Sequence, residues 1–206
     1  MRRNVLTAAL VISCLSLVSC SSNNSVEQPK DDLSQGNISD PAVSEAKLQE
    51  AGADCMAGAE IKGRPVRVVS TVAPITNLVG LLAGDIGPIV QGIVPEGTNS
   101  HTFEPPPSSV ATLESADIIF VNGMKLEDPT LELAKANAPK AVICELGTSS
   151  LAESDWIYDF SFPKEGGKPN PHLWTNPPNV LPYLSTIRNV LVNADPTNID
   201  KYDENY

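Results

Sequence analysis

The sequence predicts an α/β fold: a parallel sheet flanked by helices, preceded by a disordered N-terminal tether. Three observations carry this. Short aliphatic or β-branched runs recur at residues 66–70, 89–94, 117–121 and 141–145. Stretches with helical spacing lie between them, and strands alternating with helices imply βαβ units and a parallel sheet. The residues before this region are polar and without period, the composition of a segment that cannot bury a core.

The folded body is expected from Arg64. Val66-Arg67-Val68-Val69-Ser70 has the pattern of a strand buried on both faces. Pro74 sits near the start of a helix over residues 75–83, where its fixed φ and missing donor are tolerated, and Gly84-Asp85 closes that helix. A second strand covers 89–94, and Pro95-Glu96-Gly97-Thr98-Asn99 is a turn-rich loop. A helix over 108–115, a strand over 117–121, a helix over 129–137 and a strand over 141–145 complete the alternation. Residues 156–171 mix aromatics, Gly and Pro without helical period and read as a long surface loop. Within it Trp156, Tyr158, Phe160 and Phe162 alternate, which predicts an extended piece with one aromatic face against the domain. Residues 179–192 are helical, and Asp195-Pro196 is a turn leading into another helix from about Thr197. A domain rarely ends on a short helix with nothing to pack against, so residues 195–206 read as the start of an element cut short.

At the other end, Arg2 and Arg3 precede an apolar run over residues 5–18, shorter than the roughly 20 residues a membrane span needs. The pattern is that of a secretory signal over residues 1–19. Leu17-Val18-Ser19-Cys20 resembles a lipoprotein lipobox, which implies cleavage before Cys20 and a lipid on its sulfur. Residues 20–63 are then lipid anchor and tether, with a short helical pattern over 43–51 and a loop carrying Cys55. Cleavage removes two arginines and no acid, so a net charge of −11 becomes more negative. Such a chain repels phosphate backbones, and nucleic acid is excluded as a partner. Of the four cysteines, Cys55 and Cys144 remain in the exported body, where they are able either to pair or to stay free. Two cysteines without Cys-x-x-Cys spacing do not make a zinc site.

The chain has two histidines, His101 and His172, each in a Pro-rich loop. Ligands in open α/β sheets bind outside the carboxyl ends of the strands, and His101 directly follows the second strand. Neutral imidazole is a common ligand for zinc and other transition metals. No Gly-rich phosphate loop, Ser-His-Asp order or Cys-His pair supports nucleophilic catalysis. No His-Glu-x-x-His pattern supports a metallohydrolase, and the chain reads as a non-enzyme.

Several blocks carry a resemblance. Thr71-Val72-Ala73-Pro74-Ile75, then Leu78-Val79 and Gly84-Asp85, are similar to the opening of the zinc- and manganese-binding solute-binding proteins of ABC transporters, the cluster A-I family. Val94-Pro95-Glu96-Gly97-Thr98-Asn99-Ser100-His101-Thr102-Phe103-Glu104-Pro105 resembles the loop that presents that family's first metal histidine. Val121-Asn122-Gly123 and Leu126-Glu127 resemble its next strand and loop. Pro171-His172-Leu173-Trp174-Thr175-Asn176-Pro177 resembles the motif of the second histidine.

The resemblance implies one lobe of a two-lobed receptor, residues 64–194. It implies His101 and His172 as ligands of a divalent metal, Zn²⁺ first and Mn²⁺ second. It also implies further ligands from a C-terminal lobe absent from this sequence, delivery to an ABC permease, and a lipid-anchored position in the bilayer on the outer face of the cell membrane. The chain departs from the family where Asn99 and Ser100 replace Asp and Pro, and where Asn170 and Asn176 replace the aspartates flanking the second histidine. Asn99, Asn176 and Glu104 are candidates to orient the rings from behind, with a turn or cap role the plainer reading of Glu104. Trp174 and Phe103 are expected to pack their loops. A surface adhesin without a transport role is the alternative reading.

Overall fold

The computed structural model describes residues 55–206. The expected signal peptide, Cys20, the residue 43–51 helix and most of the tether lie outside the described residues. Four strands form one sheet: β1 (Arg67–Ser70), β2 (Ile89–Gly92), β3 (Ile118–Val121) and β4 (Val142–Glu145), in the order β2-β1-β3-β4. Every pairing is parallel. The helices are α1 (Ala73–Ala83), α2 (Ser109–Glu114), α3 (Asp128–Asn137), α4 (Leu146–Ser150), α5 (Pro177–Ala194) and α6 (Ile199–Asn205).

The two-residue period of the strands divides the core. Val68, Ile118, Phe120 and Cys144 face one way, into a cluster with Ile75 and Leu82 of α1, Tyr183, Ile187 and Leu191 of α5, and Tyr202 of α6. Val69, Ile119 and Val121 face the other way, against Leu113 at α2 and Leu131 and Ala134 of α3. A parallel sheet covered on both faces explains why β3 reads as an unbroken apolar run. β2 lies at the edge, and its Ile89 is half exposed.

Helix starts follow the prolines. Pro74, Pro129 and Pro177 occupy first-turn positions of α1, α3 and α5. Gly84, at φ 50°, ends α1 and donates its N–H to Gly80 O. The strand order reverses between β1 and β3: the chain goes from β1 to β2 on one side, then returns past β1 to β3 on the other. Such a switch point opens a crevice at the carboxyl edge of the sheet.

The packed body reaches back beyond Arg64. Cys55 is 2% exposed and forms a disulfide with Cys144 of β4, across a Cα–Cα distance of 5.0 Å. Ile61 N–H donates to Ala194 O at 2.8 Å, and Asn193 Nδ2 to Gly58 O at 2.7 Å. Residues 55–63 therefore lie on the domain, joined to α5 and β4. Apolar content gave no sign of this, because the joints are a cysteine and backbone hydrogen bonds.

Candidate metal centre

His101 lies in the loop after β2. Gly97, at φ 77°, allows the turn closed by Thr98 N–H to Pro95 O at 3.1 Å. Asn99 Oδ1 then accepts the His101 backbone N–H at 3.0 Å, an Asx turn that aims the residue. His172 is held from the sheet. Asn122, the first residue after β3, donates from Nδ2 to Pro171 O at 3.0 Å. Asn122 is itself fixed: Tyr183 Oη donates to its Oδ1 at 2.9 Å, and its backbone N–H donates to Glu127 Oε1 at 2.7 Å. Thr71, just after β1, donates to the same Oε1 at 2.5 Å. The network ties the ends of β1 and β3 to the loop of His172.

These supports bring the two rings together. His101 Nε2 lies 3.1 Å from His172 Nε2. Two nitrogens bound to one tetrahedral zinc at the usual bond length stand about 3.3 Å apart, and at a right angle about 2.9 Å. The observed gap falls between, a spacing compatible with two nitrogens that share one ion. His172 Nδ1 lies 2.9 Å from Asn170 Oδ1, and its backbone N–H donates to the same oxygen at 3.0 Å. An amide oxygen only accepts, so the ring carries its hydrogen on Nδ1 and leaves Nε2 open.

Burial holds the His172 pKa below its ordinary value. Repulsion from His101 acts the same way, and attraction from Asp159 opposes both. A ring that resists protonation stays available to a cation at lower pH. Aromatic rings enclose the pair. Phe162 stacks near His101 at 6.0 Å between centroids and meets His172 edge-on at 5.5 Å. Trp174 meets His172 edge-on at 5.3 Å. The pair opens on a cleft of about 1040 Å³ whose walls include Asn77, Leu81 and Asn99.

The other candidates are placed differently. Glu104 is exposed and does not line this cleft. Asn176 is exposed at the N-terminus of α5, where its backbone O accepts from Asn179 N–H. Phe103 packs partly buried between the two core clusters. Among the described residues no group of three or more His, Cys, Asp or Glu side chains converges, so they offer two imidazoles and no third ligand of these types.

Sequence reasoning missed Asp159. Its Oδ1 accepts the backbone N–H groups of Ser161 (2.8 Å) and Phe162 (3.1 Å), and its Oδ2 accepts from Asn170 Nδ2 at 2.7 Å. The Asn170 hydrogen bond holds the Asp159 carboxyl below its usual range. The aromatic alternation fails at Phe160, which is fully exposed, because Asp159 and Phe162 exchange backbone hydrogen bonds around a two-residue turn, Phe160-Ser161, that points outward.

Residues 68–206 match the family model described as zinc-uptake complex component A, periplasmic. The chain belongs to this family. The "Iron-binding protein YfeA" of Yersinia pestis is 33% identical over 142 residues, 68% of this chain and 42% of that protein. The "Iron ABC transporter substrate-binding lipoprotein MtsA" of Streptococcus pyogenes serotype M1 is 34% identical over 151 residues, 70% of this chain and 46% of that protein. A Mn-bound periplasmic metal-binding protein of Candidatus Liberibacter asiaticus superposes with a TM-score of 0.57 at 25% identity, covering 68% of this chain and 50% of that one. The chain thus spans less than half the length of the curated relatives it matches. Residues 101 and 172 both lie within the matched range, 68–206.

Proposed function

We propose that this protein captures a divalent transition-metal ion outside the cytoplasm and hands it to an ABC-type importer. The observation that carries the reading is the His101–His172 pair, two Nε2 atoms 3.1 Å apart at the carboxyl edge of the sheet. Both imidazoles face one cleft, and Asn170 keeps the His172 lone pair directed outward. Zinc is the first choice of cargo and manganese the second. Imidazole donors suit zinc, and the family description names zinc uptake, while the relatives' names cite iron and the structural neighbour holds manganese. Two imidazoles are half of a four-coordinate shell, and a second lobe of the longer protein supplies the rest. Lobe closure buries the ion, and lobe separation releases it. The reading makes the protein a receptor without a chemical step, anchored through lipid on Cys20 to the outer face of the membrane, with the permease as its partner.

Titration calorimetry of the full-length protein with zinc tests this. His101→Ala and His172→Ala should each weaken binding by well over tenfold, since each removes one ligand. Unchanged affinity in both variants would overturn the assignment.

A further inference from the structure

Behind His172 the polar contacts run in a line that ends on a carboxylate. Asn170 Oδ1 faces the ring's Nδ1 at 2.9 Å, and on the far side of the same amide Nδ2 donates to Asp159 Oδ2 at 2.7 Å. We propose that Asp159 is a positioning residue for His172, acting through Asn170 to fix which ring nitrogen carries the hydrogen. The proposal rests on the reading that His101 and His172 grip a cation.

The reason lies in the ambiguity of an amide. Asn170 is able to turn either its oxygen or its NH₂ toward the ring. With the oxygen inward, Nδ1 carries the hydrogen and Nε2 keeps its lone pair. With the NH₂ inward, Nδ1 becomes the acceptor, the hydrogen moves to Nε2, and the nitrogen that faces His101 is blocked. An ionised carboxylate accepts and never donates, so Asp159 calls the NH₂ outward and settles the orientation. The His172 backbone N–H, also on Asn170 Oδ1, favours the same choice.

The negative charge sits one amide away from the ring, where it favours the positive charge that a bound ion places on the imidazole. Position 170 holds an amide, and Asp159 returns a carboxylate to the line from outside the motif. Its second oxygen takes the Ser161 and Phe162 N–H groups and so shapes the turn that lays Phe162 across both rings. One side chain governs both the ring's hydrogen and its aromatic cover.

The test uses the full-length protein with Asp159→Asn, Asn170→Asp and the two combined. Asparagine at 159 offers one acceptor oxygen where the carboxylate offers two. Nitrogen NMR of the metal-free protein should then show His172 shifting from the Nδ1–H form to a mixture, and zinc affinity should fall about tenfold, the lower end for such supporting contacts. Adding Asn170→Asp puts a carboxylate directly on Nδ1–H and should restore both the tautomer and most of the affinity. A residue that merely shapes the loop would not be rescued from position 170. The proposal is overturned if Asp159→Asn leaves tautomer and affinity unchanged, or if the double variant binds as weakly as the single. Parallel titrations of His101→Ala and His172→Ala keep the two readings apart. If those lose zinc and the Asp159 variants do not, only the role of Asp159 fails. If the histidine variants keep their affinity, the metal reading fails, while the tautomer still reports on Asp159.

Discussion

Two carboxylates in this domain respond to pH in opposite senses. Glu127 is 2% exposed: its Oε1 takes the Thr71 and Asn122 hydrogens, while Oε2 is buried without a hydrogen-bond partner. Burial raises its pKa above the ordinary 4.5, against the pull of those hydrogen bonds. The folded state therefore holds the proton better than the unfolded chain, and this contribution is full below about pH 4.5 and is lost as pH rises through the folded value. Thermal melts of Glu127→Gln against the parent should shift in favour of the variant as pH rises above the ordinary 4.5; a difference independent of pH would contradict the assignment. Asp117 goes the other way. Arg64 grips it through two hydrogen bonds of 2.6 and 2.7 Å, and the Arg67 N–H adds a third at 2.9 Å. The Arg64 contact holds its carboxyl below the ordinary 3.8, so its contribution is present above that value and disappears on acidification through the folded one. Asp117→Asn should melt earlier than the parent at neutral pH, and the gap should close on acidification below the ordinary 3.8 in the same measurement.

The loop between β3 and α3 is where backbone strain collects. Gly123, Met124 and Lys125 follow one another at φ 77°, 54° and 62°, two of them with side chains that disfavour the left-handed region by about 1–2 kcal/mol each. What holds them is the approach of α4: Gly147 N–H donates to Asn122 O at 2.9 Å. A Cβ on Gly147 would stand 2.9 Å from that oxygen and 2.7 Å from Met124 Sδ. Gly147→Ala should cost about 1–3 kcal/mol by chemical denaturation, as overpacking does, and should loosen Asn122, the clamp on the His172 loop.

This element also marks the limit of sequence reading. Strands and long helices were legible because aliphatic runs and proline starts are local signals. α4, Leu-Gly-Thr-Ser-Ser, has poor helix formers and exists through its contact with the β3 loop. The histidine loops were legible as motifs, but Asp159 was not: its meaning depends on a turn that brings residue 159 against residue 170.

At the scale of the molecule, the Cys55–Cys144 bond spans a sequence separation of 89 residues. Closing so long a loop removes chain entropy from the unfolded state worth about 4–5 kcal/mol in the simplest model. Reduction, or a Cys55→Ala/Cys144→Ala pair, should therefore lower unfolding stability by about 2–5 kcal/mol, and calorimetry with and without reductant would measure it. The oxidising space outside the cytoplasm is where such a bond persists. The same bond has a consequence for damage. The covalent ring it closes contains the β2–α2 loop with His101, while His172 lies beyond it on the open part of the chain. A protease that nicks the exposed Pro-rich stretch around His101 releases no fragment, and the two pieces separate on a gel only after reductant is added. A cut in residues 156–170 has no such safeguard, and it leaves His172 without a covalent tie to the four strands.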